Sequence, residues 1–209
     1  FAWGTSSRSS KMVHGGLRYI AQGDVRLTRD SLRERERLLR DVPGLVERTT
    51  YLFPLRKGVF PGRWPMTLVL GVYDFLAGIR DHRFVGRAEL LRRVPTLNDH
   101  GLTGAMSYTD ALTDDCRLVV RALLEGSRLG GQALNYAKVA DLHREDGLTR
   151  VSVVDEVQGD SITLSAPVVI NATGAWADVL AGGDKRVRPL RGSHLFVDPQ
   201  RLPVTDCLT

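Results

Sequence analysis

The sequence predicts a mixed α/β fold on three observations: two amphipathic helix patterns, a later run of short β-like segments separated by turn residues, and an apolar segment that ends in small residues. Residues 4–16 come first. They gather Thr5, Ser6, Ser7, Ser9 and Ser10 beside Arg8 and Lys11 and close on His14-Gly15-Gly16. Such a run is poor core material, but its hydroxyls and backbone N–H groups can face the polar atoms of a ligand. A solvated serine-rich linker has the same composition. The first helix pattern follows, with Thr28 as N-cap, Leu32, Leu38 and Leu39 as a partial apolar stripe, an end at Arg40 and Pro43-Gly44 as the stop signal. Its run Arg33-Glu34-Arg35-Glu36-Arg37 reads as a solvated face with i,i+3 and i,i+4 pairs.

Between residues 51 and 93 the pattern changes to prolines, aromatics and arginines. The apolar stretch 64–79 is broken by Thr67, Gly71, Asp74 and Gly78, which reads as an inserted subdomain. The second helix pattern has Thr113 as N-cap, Asp114 and Asp115 in its first turn, and Cys116, Val119, Val120, Leu123 and Leu124 on one face. It stops near Gly130-Gly131. Beyond it, residues 133–140, 148–154, 161–164 and 168–170 read as strands divided by Glu145-Asp146-Gly147 and Gly159-Asp160, a small antiparallel meander. The last run delivers Asn171-Ala172-Thr173-Gly174, followed by a short helical start through Trp176 and Asp178.

Bulk properties narrow the function classes. A chain of 209 residues that is 43% hydrophobic and 25% charged can bury a core. The 29 Lys and Arg against 24 Asp and Glu leave a net charge of +5, which favours polyanions, anionic lipid surfaces or phosphorylated small molecules. The arginines are spread along the chain and mixed with acids, which argues against a nucleic-acid-binding or other non-catalytic basic module. Only Cys116 and Cys207 are present, too few and too distant for a disulfide framework or paired zinc ligands, so no metal site and a reducing compartment are expected. No segment approaches the roughly 20 apolar residues of a membrane span. Both ends read as cut from a longer polypeptide.

Several residues can carry chemistry. Small residues after an apolar strand, as at 168–174, let a backbone approach a nucleotide in α/β proteins, although tight turns look the same. His14 and His194 stand beside glycines and can take a hydroxyl proton near neutral pH, whereas His82, His100 and His143 lie in polar stretches. Arg18 with Tyr19, and Arg191 near His194, can offer a guanidinium fork and a hydroxyl to a phosphate monoester.

The string Gly4-Thr5-Ser6-Ser7-Arg8-Ser9-Ser10-Lys11-Met12-Val13-His14-Gly15-Gly16-Leu17-Arg18-Tyr19 resembles the flavin-contacting signature of FAD-dependent glycerol-3-phosphate dehydrogenases. Further matching stretches follow in order: Arg35-Glu36-Arg37 leading to Pro43, Tyr108-Thr109-Asp110 with Asp114 through Val119, Val169 through Trp176, and Arg188 through His194. The resemblance implies a D-amino-acid-oxidase-like fold in which a Rossmann-like FAD-binding domain (1–43 and 108–186) is interleaved with a mixed β-sheet substrate domain (44–107 and 187–209). It implies that Thr5, Ser6, Ser7, Ser10, Lys11, His14, Gly15 and Gly16 lie along FAD, that Val139 sits near the adenine, and that Ala172, Thr173 and Gly174 close over the cofactor. Arg18, Tyr19 and Arg191 then bind substrate, and His194 is the candidate catalytic base.

The implied reaction is oxidation of sn-glycerol 3-phosphate to dihydroxyacetone phosphate, with electrons passed to a quinone. A glycerol-3-phosphate oxidase or another oxidase-like flavoenzyme of the same group is the alternative. The expected setting is cytoplasmic, with a peripheral contact on the inner membrane face involving residues 64–79 or, equally, with those residues buried as a helix; a homodimer is expected, and nucleic acid is not. The glycine-rich G-x-G-x-x-G motif of such enzymes would lie upstream of Phe1, the arginine and lysine that complete the phosphate pocket beyond Thr209, and Arg191 stands where some relatives carry lysine.

Overall fold

A computed structural model of the chain describes residues 1–182 and 185–209. The chain forms two compact units, one of residues 2–122 and 194–209, the other of residues 1 and 123–193. In chain order the elements are β1 (Met12–Val13), α1 (Leu17–Ala21), α2 (Val25–Asp41), β2 (Val46–Arg56), α3 (Arg63–Ala77), β3 (Arg83–Gly86) and α4 (Arg87–Arg93). After them come β4 (Leu102–Thr113), α5 (Asp115–Arg128), β5 (Ala137–Glu145), β6 (Leu148–Asp155), β7 (Ser161–Ala166), α6 (Ala177–Ala181) and β8 (Cys207–Leu208).

In the first unit β4 is the organising strand. One edge pairs antiparallel with β2 from Val46↔Thr113 to Arg56↔Leu102, and the other takes β1 (Val13↔Ala111) and β3 (Phe84↔Met106). Strand β8 joins the far edge of β2 in parallel, Tyr51↔Cys207. Because side chains alternate along a strand, this sheet buries two apolar faces. Tyr51, Leu55, Met106 and Tyr108 pack with Leu32 of α2 and with Met66, Leu70 and Tyr73 of α3. On the other face Leu52 and Ala105 pack with Val85, Leu90, Val94 and Leu102. Arg93 donates to both carboxylate oxygens of Asp206 and so ties the segment leading into β8 to α4.

The first helix starts earlier than its sequence signal. Asp24 is the cap, its side chain accepting from the Leu27 N–H at 2.9 Å, and Thr28 lies fully buried in the next turn with Oγ1 bonded back to the Asp24 carbonyl. The reading of Arg33 through Arg37 as a solvated face is corrected at one position. Thr28, Leu32 and Arg35 share the buried stripe at i, i+4, i+7, and Arg35 is wholly inaccessible to solvent. In α3 the same spacing buries Met66, Leu70 and Tyr73, while Trp64, Leu68, Val72 and Phe75 form an exposed apolar stripe on its other side. Strand β4 runs uninterrupted across residues 107 and 108.

Helix α5 is capped by Asp114, which accepts from the Arg117 N–H at 3.1 Å, and not by Thr113, which ends β4 and donates its hydroxyl to the Leu45 carbonyl. In the second unit the meander is present as β5-β6-β7. Asp146 and Gly147, both at positive φ, make the two-residue turn that sets the Glu145↔Leu148 register. The first strand begins at Ala137 instead of residue 133. Residues 168–170 are not a strand: no described strand pairs with them, and Val168 and Ile170 stay exposed. No described helix is long and apolar enough to cross a membrane.

Replacing Arg35 by Met leaves the Asp110 carboxylate buried without its cation, and the expected loss is about 3–5 kcal/mol of unfolding free energy in a denaturant titration. Arg37→Met, on the exposed side of the same helix, should stay within about 0.5 kcal/mol of wild type.

Candidate functional site

The site grows from a sharp change of chain direction. Strand β1 carries Met12 and Val13 along β4, then His14, Gly15 and Gly16 turn the backbone into α1. Gly16 sits at φ +76°, in the left-handed region that glycine enters without strain, and a Cβ there would meet the Tyr19 ring at 2.1 Å. Gly15 is pressed against the core, and its Cβ would lie 2.2 Å from Leu32 Cδ2 and 2.3 Å from the Tyr73 hydroxyl. Glycine at both positions is therefore a packing requirement.

The Gly15 N–H donates to Tyr73 Oη at 2.9 Å and to Asp110 Oδ1 at 3.0 Å. Asp110 Oδ1 also accepts from the Tyr73 hydroxyl and from Arg35 Nη1, each at 2.6 Å, and Arg35 donates further to the Thr109 carbonyl. The other side of the guanidinium is held by Glu36, which is paired in turn with Arg48. Burial, with the neighbouring Asp110 carboxylate adding to it, drives the Tyr73 phenol well above its usual range, so it keeps its proton and donates. Burial opposes the Arg35 charge, but Tyr73 and Asp110 outweigh it and the guanidinium is raised.

Around this anchor opens a cleft of about 600 Å³. Met12, Phe53 and Tyr108 give it an apolar side, and His14, Gly16, Arg18, Tyr19, Gln22, Asp110 and Thr209 supply its polar atoms. The His14 ring stands 6.4 Å from that of Tyr19. Burial pushes the Tyr108 phenol up to about 12, so it stays a donor; it lies 3.5 Å from Thr209 Oγ1. A flat apolar side next to a histidine, an arginine and a tyrosine suits a planar ring with a small anionic molecule beside it.

Of the residues singled out from sequence, the structure brings His14, Gly16, Arg18 and Tyr19 into this one cleft, with Gly15 behind them. Thr5, Ser6, Ser7 and Ser10 precede β1 and do not line it; Thr5 through Ser7 make a single 3-10 turn. The Lys11 ammonium is engaged by Asp115 and by the Ser7 carbonyl. Val139 is half-buried on β5, facing an apolar groove of the meander with Val153 and Ile162. Ala172, Thr173 and Gly174 are exposed in a turn organised by Asn171, whose Oδ1 accepts from the Thr173 N–H and hydroxyl. Arg191 and His194 are exposed in irregular chain.

Sequence reasoning did not single out Tyr73 or Phe53 for the site, and it used Arg35, Tyr108 and Asp110 only as parts of matching strings. For Arg35 a signal existed: it occupies the i+7 position of a stripe that begins at Thr28 and Leu32. Among the described residues no cluster of His, Cys, Asp and Glu could hold a metal ion.

The sequence profile of the family described as FAD dependent oxidoreductase matches residues 1–207. The aerobic glycerol-3-phosphate dehydrogenase of Staphylococcus aureus (strain MRSA252) is 31% identical over 98% of the chain and 38% of its own length. The chain therefore spans well under half of that relative. Among solved structures, the FAD complex of the glycerol-3-phosphate dehydrogenase from Bacillus halodurans superposes with a TM-score of 0.62 at 27% identity, covering 86% of this chain and 28% of that one. The FAD-bound L-α-glycerophosphate oxidase from Mycoplasma pneumoniae gives a TM-score of 0.60 at 15% identity over 87% of this chain and 47% of its own, a likeness of fold alone.

The Lys11–Asp115 contact makes a pH prediction. Burial works against the Asp115 charge, but hydrogen bonds from Lys11 and Ser9 prevail and hold its carboxyl at about 2. A depressed folded-state value stabilises above the unfolded value of about 3.9 and is lost as pH falls through the folded one. Denaturant midpoints should therefore fall between about pH 4 and pH 2 more steeply in wild type than in Asp115→Asn.

Proposed function

This chain belongs to the FAD dependent oxidoreductase family, and from that premise we propose that it forms part of an enzyme oxidising sn-glycerol 3-phosphate to dihydroxyacetone phosphate. The observation that carries the proposal is the cleft in which His14, Gly16, Arg18 and Tyr19 meet beside Phe53 and Tyr108. Relatives named as glycerol-3-phosphate dehydrogenases support it.

In this reading the hydroxyl-rich residues Thr5, Ser6, Ser7 and Ser10, with Lys11 and the His14-Gly15-Gly16 turn, lie along FAD, and Val139 and Ala172, Thr173 and Gly174 serve its other parts. Bound FAD supplies the acceptor for the hydride that leaves C2 of the substrate. Arg18 grips the phosphate with its planar fork and Tyr19 adds a hydroxyl, with Arg191 as a further cation. A histidine takes the proton of the C2 hydroxyl as the hydride departs, so that a ketone remains. The Gly192-Ser193-His194 motif nominates His194. A specific observation favours His14 as the second assignment: both histidines are exposed, but His14 lines the cleft with Arg18 and its ring stands 6.4 Å from that of Tyr19.

The electrons then pass to a quinone. A membrane contact consistent with that acceptor is the stripe of Trp64, Leu68, Val72 and Phe75. Arg63 lies over the Trp64 ring, and Arg26, Arg29 and Arg33 of α2, with Asp30 among them, stand beside Phe75. Apolar side chains rimmed by arginine suit an anionic lipid interface. A second copy of the chain completes a homodimer in this reading.

Stopped-flow reduction of the complete FAD-loaded enzyme tests the base. The true base, changed to Asn, should slow flavin reduction by about 10²–10⁴-fold with little change in substrate affinity. If neither His14→Asn nor His194→Asn does so, the proton goes to neither. Arg18→Gln should raise KM for glycerol 3-phosphate by about 10–100-fold, the worth of a charge-assisted hydrogen bond. Vesicle flotation with and without anionic lipid tests the surface: Trp64→Glu and Arg63→Glu should each reduce binding, and unchanged flotation removes this face from the membrane.

A further inference from the structure

Resting on the flavoenzyme reading above, we propose that Tyr73 and Asp110, held by Arg35, are positioning residues that lock the Gly15 amide inward and thereby set the His14–Gly16 turn against the flavin. The peptide joining His14 to Gly15 is planar and trans, so its N–H and C=O point in opposite directions. Anchoring the Gly15 N–H on Tyr73 Oη and Asp110 Oδ1, at 2.9 and 3.0 Å, turns the His14 carbonyl away from the core.

The anchor has little slack. Tyr73 Oη donates its one proton to Asp110 and accepts from Gly15 N–H and from Arg35 Nη1, so every hydrogen-bonding direction of the phenol is used. The three participants come from α2, α3 and β4, three different elements of one unit, and all are at most 2% exposed. Leu32 and the phenol leave no room for a side chain at Gly15. Simple stability does not require this arrangement, because a buried ion pair is weakly stabilising compared with well-packed apolar residues. What it supplies is a fixed orientation for one peptide plane, next to the residues that line the cleft. Asp110 itself reaches that cleft, so the network is continuous from the core to the site.

The test uses the complete FAD enzyme with Tyr73→Phe, which removes only the hydroxyl that accepts from Gly15, and Asp110→Asn, which keeps an amide oxygen but removes the charge that holds Arg35 in the network. Val85→Ala, in the apolar cluster on the opposite sheet face, controls for general destabilisation. Three quantities are read: hydrogen exchange of the peptide spanning residues 12–20, the visible absorption spectrum and reduction potential of bound flavin, and its reduction rate per bound flavin. Tyr73→Phe is expected to speed exchange at Gly15 by about tenfold, the equivalent of one lost hydrogen bond. It should also shift the flavin spectrum or potential and slow reduction, whereas Val85→Ala at an equal loss of melting temperature should do none of these. If Tyr73→Phe does not fold, Asp110→Asn carries the same expectations. Faster exchange with spectrum, potential and rate per flavin all unchanged overturns the proposal while leaving the flavoenzyme reading intact. A wild-type protein that takes up no FAD overturns the flavoenzyme reading, and with it the flavin part of this one, whatever the exchange at Gly15.

Discussion

The first unit is organised around one buried ion pair, Arg35 with Asp110, completed by Tyr73. Burying a charge is costly unless it is paired and hydrogen-bonded. Here that condition ties together a helix from before β2, a helix from between β2 and β3, and the longest strand of the sheet. Glu36 and Arg48 extend the chain of charge outward to the surface. Each member depends on the others, so the three elements are held in one register.

The same condition reaches the candidate site. An N–H buried without a partner would be costly, and the Gly15 amide finds its partners in this network. The turn from β1 into α1 is therefore set by core electrostatics as much as by the glycines within it. From that turn Arg18 and Tyr19 follow on α1 and face the same cleft as Phe53 of β2 and Tyr108 of β4. Tyr108 is itself braced edge-on by Tyr73 at 6.1 Å and lies 5.5 Å from Tyr51. Rings in these arrangements are a stiff support for an apolar wall.

The second unit is built differently. Its three-stranded meander buries little beyond Val151 and Val153, and Leu134, Tyr136, Ile162 and Leu164 are left at its surface. A sheet of that size is independently stable only with an apolar face or a packed helix.

Elements whose signals are local were legible in the sequence: helices α2 and α5, the Asp146-Gly147 hairpin, the meander and the glycine-rich turn at His14 all announce themselves within a few residues. Arg18 and Tyr19, read from sequence as a guanidinium and hydroxyl pair, line the cleft onto which that turn opens. Cap positions slipped by one to four residues, at Asp24 for Thr28 and Asp114 for Thr113, since neighbouring oxygens compete for the same backbone N–H and composition does not rank them. Residues 168–170 looked like a strand because apolar content was visible and the missing partner was not. The burial of Arg35, the inward hydroxyl of Tyr73 and the joining of Phe53, Tyr108 and Thr209 to the cleft were decided only by tertiary structure. Those contacts run between residues up to about a hundred positions apart, and a charged side chain's burial depends on whether a distant carboxylate meets it, which no local pattern records.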